Sequence, residues 1–248
     1  MIDQMLPFIA AGFAAQIVDG ALGMAFGLIN STILITLVGV PPAVASASVH
    51  AVETFTSAAS GASHIAHRNV DWRLFRRLVV PGVIGGVIGA YLLANIDASL
   101  ARPFVTAYLA LIGLYLLMRA WRGPQPPREP QIIGPLGLLG GFLDAAGGGG
   151  WGPVVASNLL VQGAEPRTTI GTVNTSEFVL TATISATFIA TMGFAAFTVQ
   201  TIGILIGGLA AAPLGAVLAK RIPARALLAM VGTLLTTTSA YTIWKALG

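Results

Sequence analysis

The chain has 248 residues, of which 9% are charged and 55% hydrophobic, and its mean hydropathy is +0.84. A water-facing domain carries about 25% charged residues, so this chain cannot be solvated as an ordinary soluble domain and its natural solvent is lipid. Zero Cys excludes disulfides, thiolate metal sites and cysteine nucleophiles, while the net charge of +4 comes from Lys and Arg in short loops, where membrane orientation accounts for it without nucleic acid.

From the N-terminus, MIDQMLPFIAAGFAAQ lacks a basic leader and carries Asp3, so it reads as a retained membrane segment and not as a cleaved signal peptide. Apolar blocks run from Leu6 to Val38, Ala43 to Ala66, Leu74 to Ala94 and Leu100 to Trp121. The stretch RGPQPPREP, polar and Pro-rich, cannot lie in lipid as a helix. Four more blocks follow, from Ile132 to Val161, Thr168 to Met192, Phe197 to Ala219 and Ala224 to Leu247. The pattern predicts an all-α, polytopic transmembrane helical bundle: a first repeat over 1–122, a linker over 123–130 and a second repeat over 131–248. The first block of each repeat is too long for one crossing and Gly-rich in its middle. It is expected to be a broken helix or hairpin whose pieces, roughly 12–17 residues each, reach only about 18–25 Å. Three transmembrane helices follow it in each repeat.

The two halves match in order. Gly39, Pro42, His50 and Glu53 stand at one offset from Gly163, Pro166, Asn174 and Glu177, and Gly82, Gly89 and Ala90 correspond to Gly208, Gly215 and Ala216. Gly12-Phe13 pairs with Gly141-Phe142, which sets Asp19 opposite Gly148 and leaves Asp19 and Asp144 unmatched. Charge placement then favours inverted over parallel repeats. With each first block a hairpin, eleven of the thirteen Lys and Arg fall on one side, opposite Arg102 and Lys245; four full crossings per half give eight against five.

Four acids lie within apolar blocks: Asp19, Glu53, Asp144 and Glu177. A charge at bilayer depth costs at least about 2.5–3.5 kcal/mol on insertion scales, so such groups face a cavity, a partner or a pathway. Glu53 and Glu177 are the sharper pair, since His50 and Glu53 share a helix face and Asn174 and Glu177 repeat the spacing. Their roles are either proton coupling along a polar pathway or structural bonding between helices. Asp19 and Asp144 border Gly-rich breaks and either contact solute and proton or cap a helix end.

The Gly-rich tips, with Gly20, Gly23 and Met24 in the first half and Gly148, Gly149, Gly150, Trp151 and Gly152 in the second, are candidates for solute binding together with His50 and Asn174. Two helix N-termini meeting there would offer backbone N–H donors to an anion, unless the glycines serve only close packing. Trp151 either shapes a cavity or fills core. His64 and His67 approach a basic loop, and Trp72, Trp121 and Trp244 sit at segment ends, where an interfacial belt explains them.

The opening GALGMAFGLI, the HAVE of His50 to Glu53, the SGASHIAHRNVDW of Ser60 to Trp72, the PGVIGGVIGA from Pro81, GGGGWGPV, the TVNTSEF of Thr172 to Phe178 and the AAPLGA from Ala211 together resemble the sulfite exporter TauE/SafE family along nearly the whole chain. The resemblance implies a multi-pass transporter of the bacterial or archaeal plasma membrane that moves small sulfur-containing anions, such as sulfite or organosulfonates like sulfoacetate. Proton coupling and alternating access suit the paired glutamates and the repeats. The expected partners are a small anionic solute and the lipid bilayer, with a homodimer open as the assembly and no cofactor, metal or nucleic acid. Two rivals stand against it. A divalent metal-cation permease would need the acids to converge as oxygen ligands, whereas along the sequence they are dispersed. An intramembrane protease would need Ser60 or Ser63 with His64, and no oxyanion-hole pattern accompanies them.

Overall fold

The computed structural model describes residues 2–22, 24–121, 129–194, 198–218 and 224–247, and among these all the regular structure is helical. The first half comprises α1 (Ile2–Leu22), α2 (Phe26–Thr32) continued by a π-helical stretch (Ile33–Val38), α3 (Pro42–Ala66), α4 (Trp72–Asn95) and α5 (Ala98–Trp121). The second repeats the order with α6 (Gly134–Gly147), a π-helical stretch (Trp151–Ala156) that runs into α7 (Ser157–Val161), α8 (Pro166–Met192), α9 (Val199–Leu218) and α10 (Ala224–Leu247). Gly23 and residues 123–128 of the expected linker lie outside the described residues.

Local chemistry sets the boundaries. Gly39 and Gly163, matched in the sequence, end the second arms of the two breaks at φ +82° and +94°, a conformation that a Cβ would resist. Pro42 and Pro166 then occupy the first turns of α3 and α8, where a missing N–H costs nothing. The Asp71 carboxylate accepts from Arg73 N and Leu74 N at 2.8 and 3.1 Å to cap α4, and Glu165 does the same for α8.

Among the described residues, α4 and α5 are long and apolar enough on length and composition alone to cross a bilayer. α3 and α8 are as long, at 25 and 27 residues, but more polar, because they turn hydroxyls toward each other. Thr54 Oγ1 lies 3.4 Å from Ser185 Oγ, Ser57 Oγ 3.4 Å from Thr181 Oγ1, and Asn174 Nδ2 3.3 Å from Ser60 Oγ. Rising numbers on one helix meet falling numbers on the other, so α3 and α8 run antiparallel. Ser57 and Thr181 are themselves repeat equivalents. The same antiparallel order joins α5 and α10, where Gly113 lies against Thr236 and Gly232 against Leu117.

The halves are interlocked. α1 packs chiefly on α9, and α6 on α4, so the first helix of each half is held by the fourth of the other. Glycines make the seams close: a Cβ on Gly12 would lie 2.8 Å from Ile204 Cα, and one on Gly137 2.9 Å from the Leu78 carbonyl oxygen. At one end of the bundle the loops before α4 and α8 touch, with Arg167 Nε donating to Asn69 Oδ1 at 2.7 Å and Asp71 N to Thr172 Oγ1 at 2.9 Å. Arg102, at the other end, donates to the Gly39 carbonyl at 2.7 Å, and the course of α10 beside α5 brings Lys245 to that same end.

The expectation of short first pieces holds for α6, 14 residues or about 21 Å, but not for α1, whose 21 residues are long enough to reach across. α1 extends through the polar IDQM stretch that the hydropathy boundary at Leu6 leaves out.

Candidate functional site

Each break is a turn around one carboxylate. Asp19 Oδ1 accepts from Ala25 N and Phe26 N at 2.8 and 3.2 Å; Asp144 Oδ1 accepts from Gly150 N and Trp151 N at 2.6 and 2.9 Å. The bonds fall six and seven residues downstream in both halves, so Asp19 and Asp144 are equivalents at offset 125. This corrects the sequence alignment that put Asp19 opposite Gly148: the match at Gly12 and Gly141 is four residues out of step. Gly12 instead corresponds to Gly137, since each lies on the backbone of the opposite half's fourth helix.

In the second half the chain reverses completely. Asp144 meets Trp151, and a Cβ on Gly140 would run into Val155, so α6 and the π-helical arm form a hairpin. The reversal uses Gly148 at φ +70° and Gly149 at φ +146°, conformations strained for any L side chain. Hydroxyls of the first half hold this tip: Ser46 Oγ donates to the Ala145 carbonyl at 2.6 Å, Tyr108 Oη to Gly149 at 2.9 Å, and Ser31 Oγ to Gly148. The two tips touch backbone to backbone, because a Cβ on Gly27 would lie 3.0 Å from Gly149 Cα.

Where they meet, a cavity of ≈ 10 Å³ is lined by Asp19, Glu53, Asp144 and Glu177 with Met24, Gly149, Gly150 and Gly152 of the predicted set. That volume holds about one water molecule. The acids that look dispersed in the sequence therefore converge, and no Lys or Arg among the described residues lines the cavity with them. Glu53 Oε1 lies against Gly27, 2.9 Å from where a Cβ would stand, while its buried Oε2 has no hydrogen-bond partner among the described residues. Tip donors expected to be free for an anion are instead engaged by Asp19 and Asp144.

His50 stands one bond behind the cavity. Its Nε2 lies 3.1 Å from Asp144 Oδ2, and its Nδ1 lies 2.8 Å from the Ser46 carbonyl, an acceptor that requires the proton on Nδ1. The Nε2 to Oδ2 contact pairs two buried groups, 0% and 2% exposed, and that pairing lowers the cost of burying both.

Other predicted residues go elsewhere. Asn174, the repeat equivalent of His50, turns from the tips toward Ser60 and His64, with its Nδ2 3.3 Å from Ser60 Oγ and 3.5 Å from His64 Nε2. Trp151 is fully buried, donates through Nε1 to the Val173 carbonyl at 3.2 Å and lies over Gly82; it fills core beside the cavity and does not line it. Gly148 sits in the tip behind the lining, and Gly20 lies in the last turn of α1. Sequence reasoning missed Tyr108, Ser31 and Ser46, which carry no local signature. It also missed the Asp equivalence, for which the signal was present: DGALGMAF and DAAGGGGW share an Asp seven residues before a large aromatic.

The profile of the family described as sulfite exporter TauE/SafE matches residues 8–242. Among curated proteins, the chain is 38% identical over 251 residues to "Probable membrane transporter protein YtnM" of Bacillus subtilis (strain 168), covering 98% of this chain and 83% of the relative. No solved structure matches. An all-helical chain with carboxylates gathered at two facing breaks, matched from end to end in this way, belongs to the sulfite exporter TauE/SafE family of membrane transporters.

Proposed function

We propose that this protein is a secondary transporter, working as an exporter, of small sulfur-containing anions such as sulfite or organosulfonates like sulfoacetate, coupled to protons and operating by alternating access in a bacterial or archaeal plasma membrane. The observation that carries the reading is the convergence of Asp19, Glu53, Asp144 and Glu177 on one cavity without Lys or Arg. An anion cannot approach four carboxylates in a low-dielectric site unless protons neutralise them, so anion and proton occupancy are linked. The substrate class rests on the description of the family.

Inverted repeats supply the motion. The reading is supported by the antiparallel course of equivalent helices α3 and α8, by the contact of equivalents Ser57 and Thr181, and by Arg68 and Arg167 at one end of the bundle with Arg102 and Lys245 at the other. A cavity for one water is too small for sulfite, so the tips must part to load it. Gly149 and Gly150, Met24 and Gly152 would then face the solute, and Glu53 and Glu177 the proton.

Clustered carboxylates also favour a second reading, a divalent metal-cation permease. Among the described residues, however, no three His, Asp or Glu side chains are arranged to hold one metal ion. Proteoliposome flux separates the two. Sulfite or sulfoacetate movement should accelerate under an imposed pH gradient and fall at least tenfold in Glu53→Gln and Glu177→Gln. Divalent-metal uptake lost in Glu53→Gln, with no anion flux in the parent protein, would replace the anion reading with the metal one.

A further inference from the structure

Outside the polar site, a groove of ≈ 260 Å³ is walled by α4, α5 and α6. Ala101, Phe104, Val105 and Tyr108 line it at helical spacing along α5, and residues 89–93 of α4, Ile96 just past its end and residues 142–147 of α6 complete the walls. The seven helical steps from Ala101 to Tyr108 make it about 10 Å long, parallel to the helix axes. It starts beside the turn between α4 and α5, where exposed Asp97 takes the Ser99 N–H, and ends at depth against Tyr108 and Gly147. The one side-chain hydroxyl in the lining, that of Tyr108, is already committed to the Gly149 carbonyl.

The mouth is formed by Leu92, Ile96 and Phe104, which are 48%, 49% and 75% exposed. Leu92 and Phe104 sit on α4 and α5, the helices long and apolar enough to cross a bilayer, and Ile96 directly follows α4, so the mouth opens on hydrocarbon and not on water. An occupant must be apolar, slender, delivered from the bilayer and aligned with the helices from the interface inward. We propose that this groove is a binding site for one acyl chain of a bilayer phospholipid, seated between α4 and α5 with its end against Tyr108. Each buried methylene of such a chain gains contact with side chains that hold no competing polar group. The inference needs only the membrane location and is independent of the solute carried.

The test uses the full-length protein in nanodiscs doped with a phosphatidylcholine that carries a photoactivatable diazirine midway along one acyl chain, with cross-links mapped by mass spectrometry. Labelling is expected to concentrate several-fold on Phe104, Leu143 and Ala146 over the equally lipid-facing Leu111 and Leu139. Ala146→Trp, which fills the groove, should abolish the concentrated signal, and Leu111→Trp should leave it intact. Because positions are compared within the unsubstituted protein, the result stands even if Ala146→Trp folds poorly. Even labelling of all exposed faces would reduce the groove to ordinary boundary lipid and overturn the proposal. Groove labelling that disappears in a stable dimer would also overturn it, by assigning the groove to a second copy.

Discussion

At the scale of single residues, Asp144 does more than any other side chain near the cavity. Its two oxygens answer Gly150 N, Trp151 N and His50 Nε2, which no other described group satisfies. Asp144→Ala strands all three in a buried setting, and about 3 kcal/mol or more of stability should be lost. Denaturant or thermal unfolding in detergent reads this directly. Glu53 is different, because its Oε2 already lacks a partner among the described residues, so Glu53→Gln should leave the melting temperature nearly unchanged while flux falls. A Glu53→Gln protein that unfolds as readily as Asp144→Ala would make Glu53 a structural group.

Equivalent positions are not equally tolerant. A Cβ on Gly82 would lie 2.6 Å from Trp151 Cη2, and the indole is pinned by its bond to the Val173 carbonyl; on Gly208 the nearest atom is Phe26 Cε2 at 3.2 Å. Gly82→Ala should therefore cost about 1–3 kcal/mol of overpacking, and Gly208→Ala clearly less. Equal losses in the two variants would show that the Trp151 cradle yields.

At the scale of elements, the N-cap of α8 gives a pH signature. The Glu165 carboxylate accepts from Thr168 N, Thr168 Oγ1 and Arg167 N, and these bonds hold its pKa below the ordinary Glu value. A carboxylate depressed in the folded state stabilises it above the unfolded pKa, ~4.3, and the contribution fades as pH falls through the folded value. Glu165→Gln should lower the melting temperature at pH 7 by an amount worth less than about 1 kcal/mol, since the group is solvated, and the difference should close in acid. A gap that persists at pH 3 would mean that charge is not its source.

Elements were also what the sequence revealed best. Hydropathy located the eight blocks because lipid demands long apolar runs, and Gly39, Pro42, Gly163 and Pro166 marked turns because each has a backbone property that no other residue shares. The equivalence of the two carboxylate caps escaped for a physical reason. A hairpin that closes over six or seven residues has no helical or strand period, and offsets of 124, 125 and 126 in successive segments defeat any single alignment. Tyr108 and Ser46 were invisible because they hold the other half's tip from positions about forty and a hundred residues away. The interlocking of α1 with α9 and of α6 with α4 makes those distances short.

At the scale of the whole molecule, the interlocked halves, taken as inverted repeats under the proposed function, predict a sidedness that the Cys-free chain makes simple to measure. Single cysteines placed at His67 and Arg167 should react with an impermeant maleimide from the same side of the membrane, and one at Lys245 from the other. Labelling of His67 and Lys245 from one side, opposite Arg167, would restore parallel repeats.

The one-water cavity also bears on what the idle protein does to a cell. A transport protein whose central site admits about one water holds no continuous file of water there, and small hydrated ions need such a file to leak. Many idle copies can thus sit in an energised membrane without draining its ion gradients. The closure that excludes the solute also insulates the membrane.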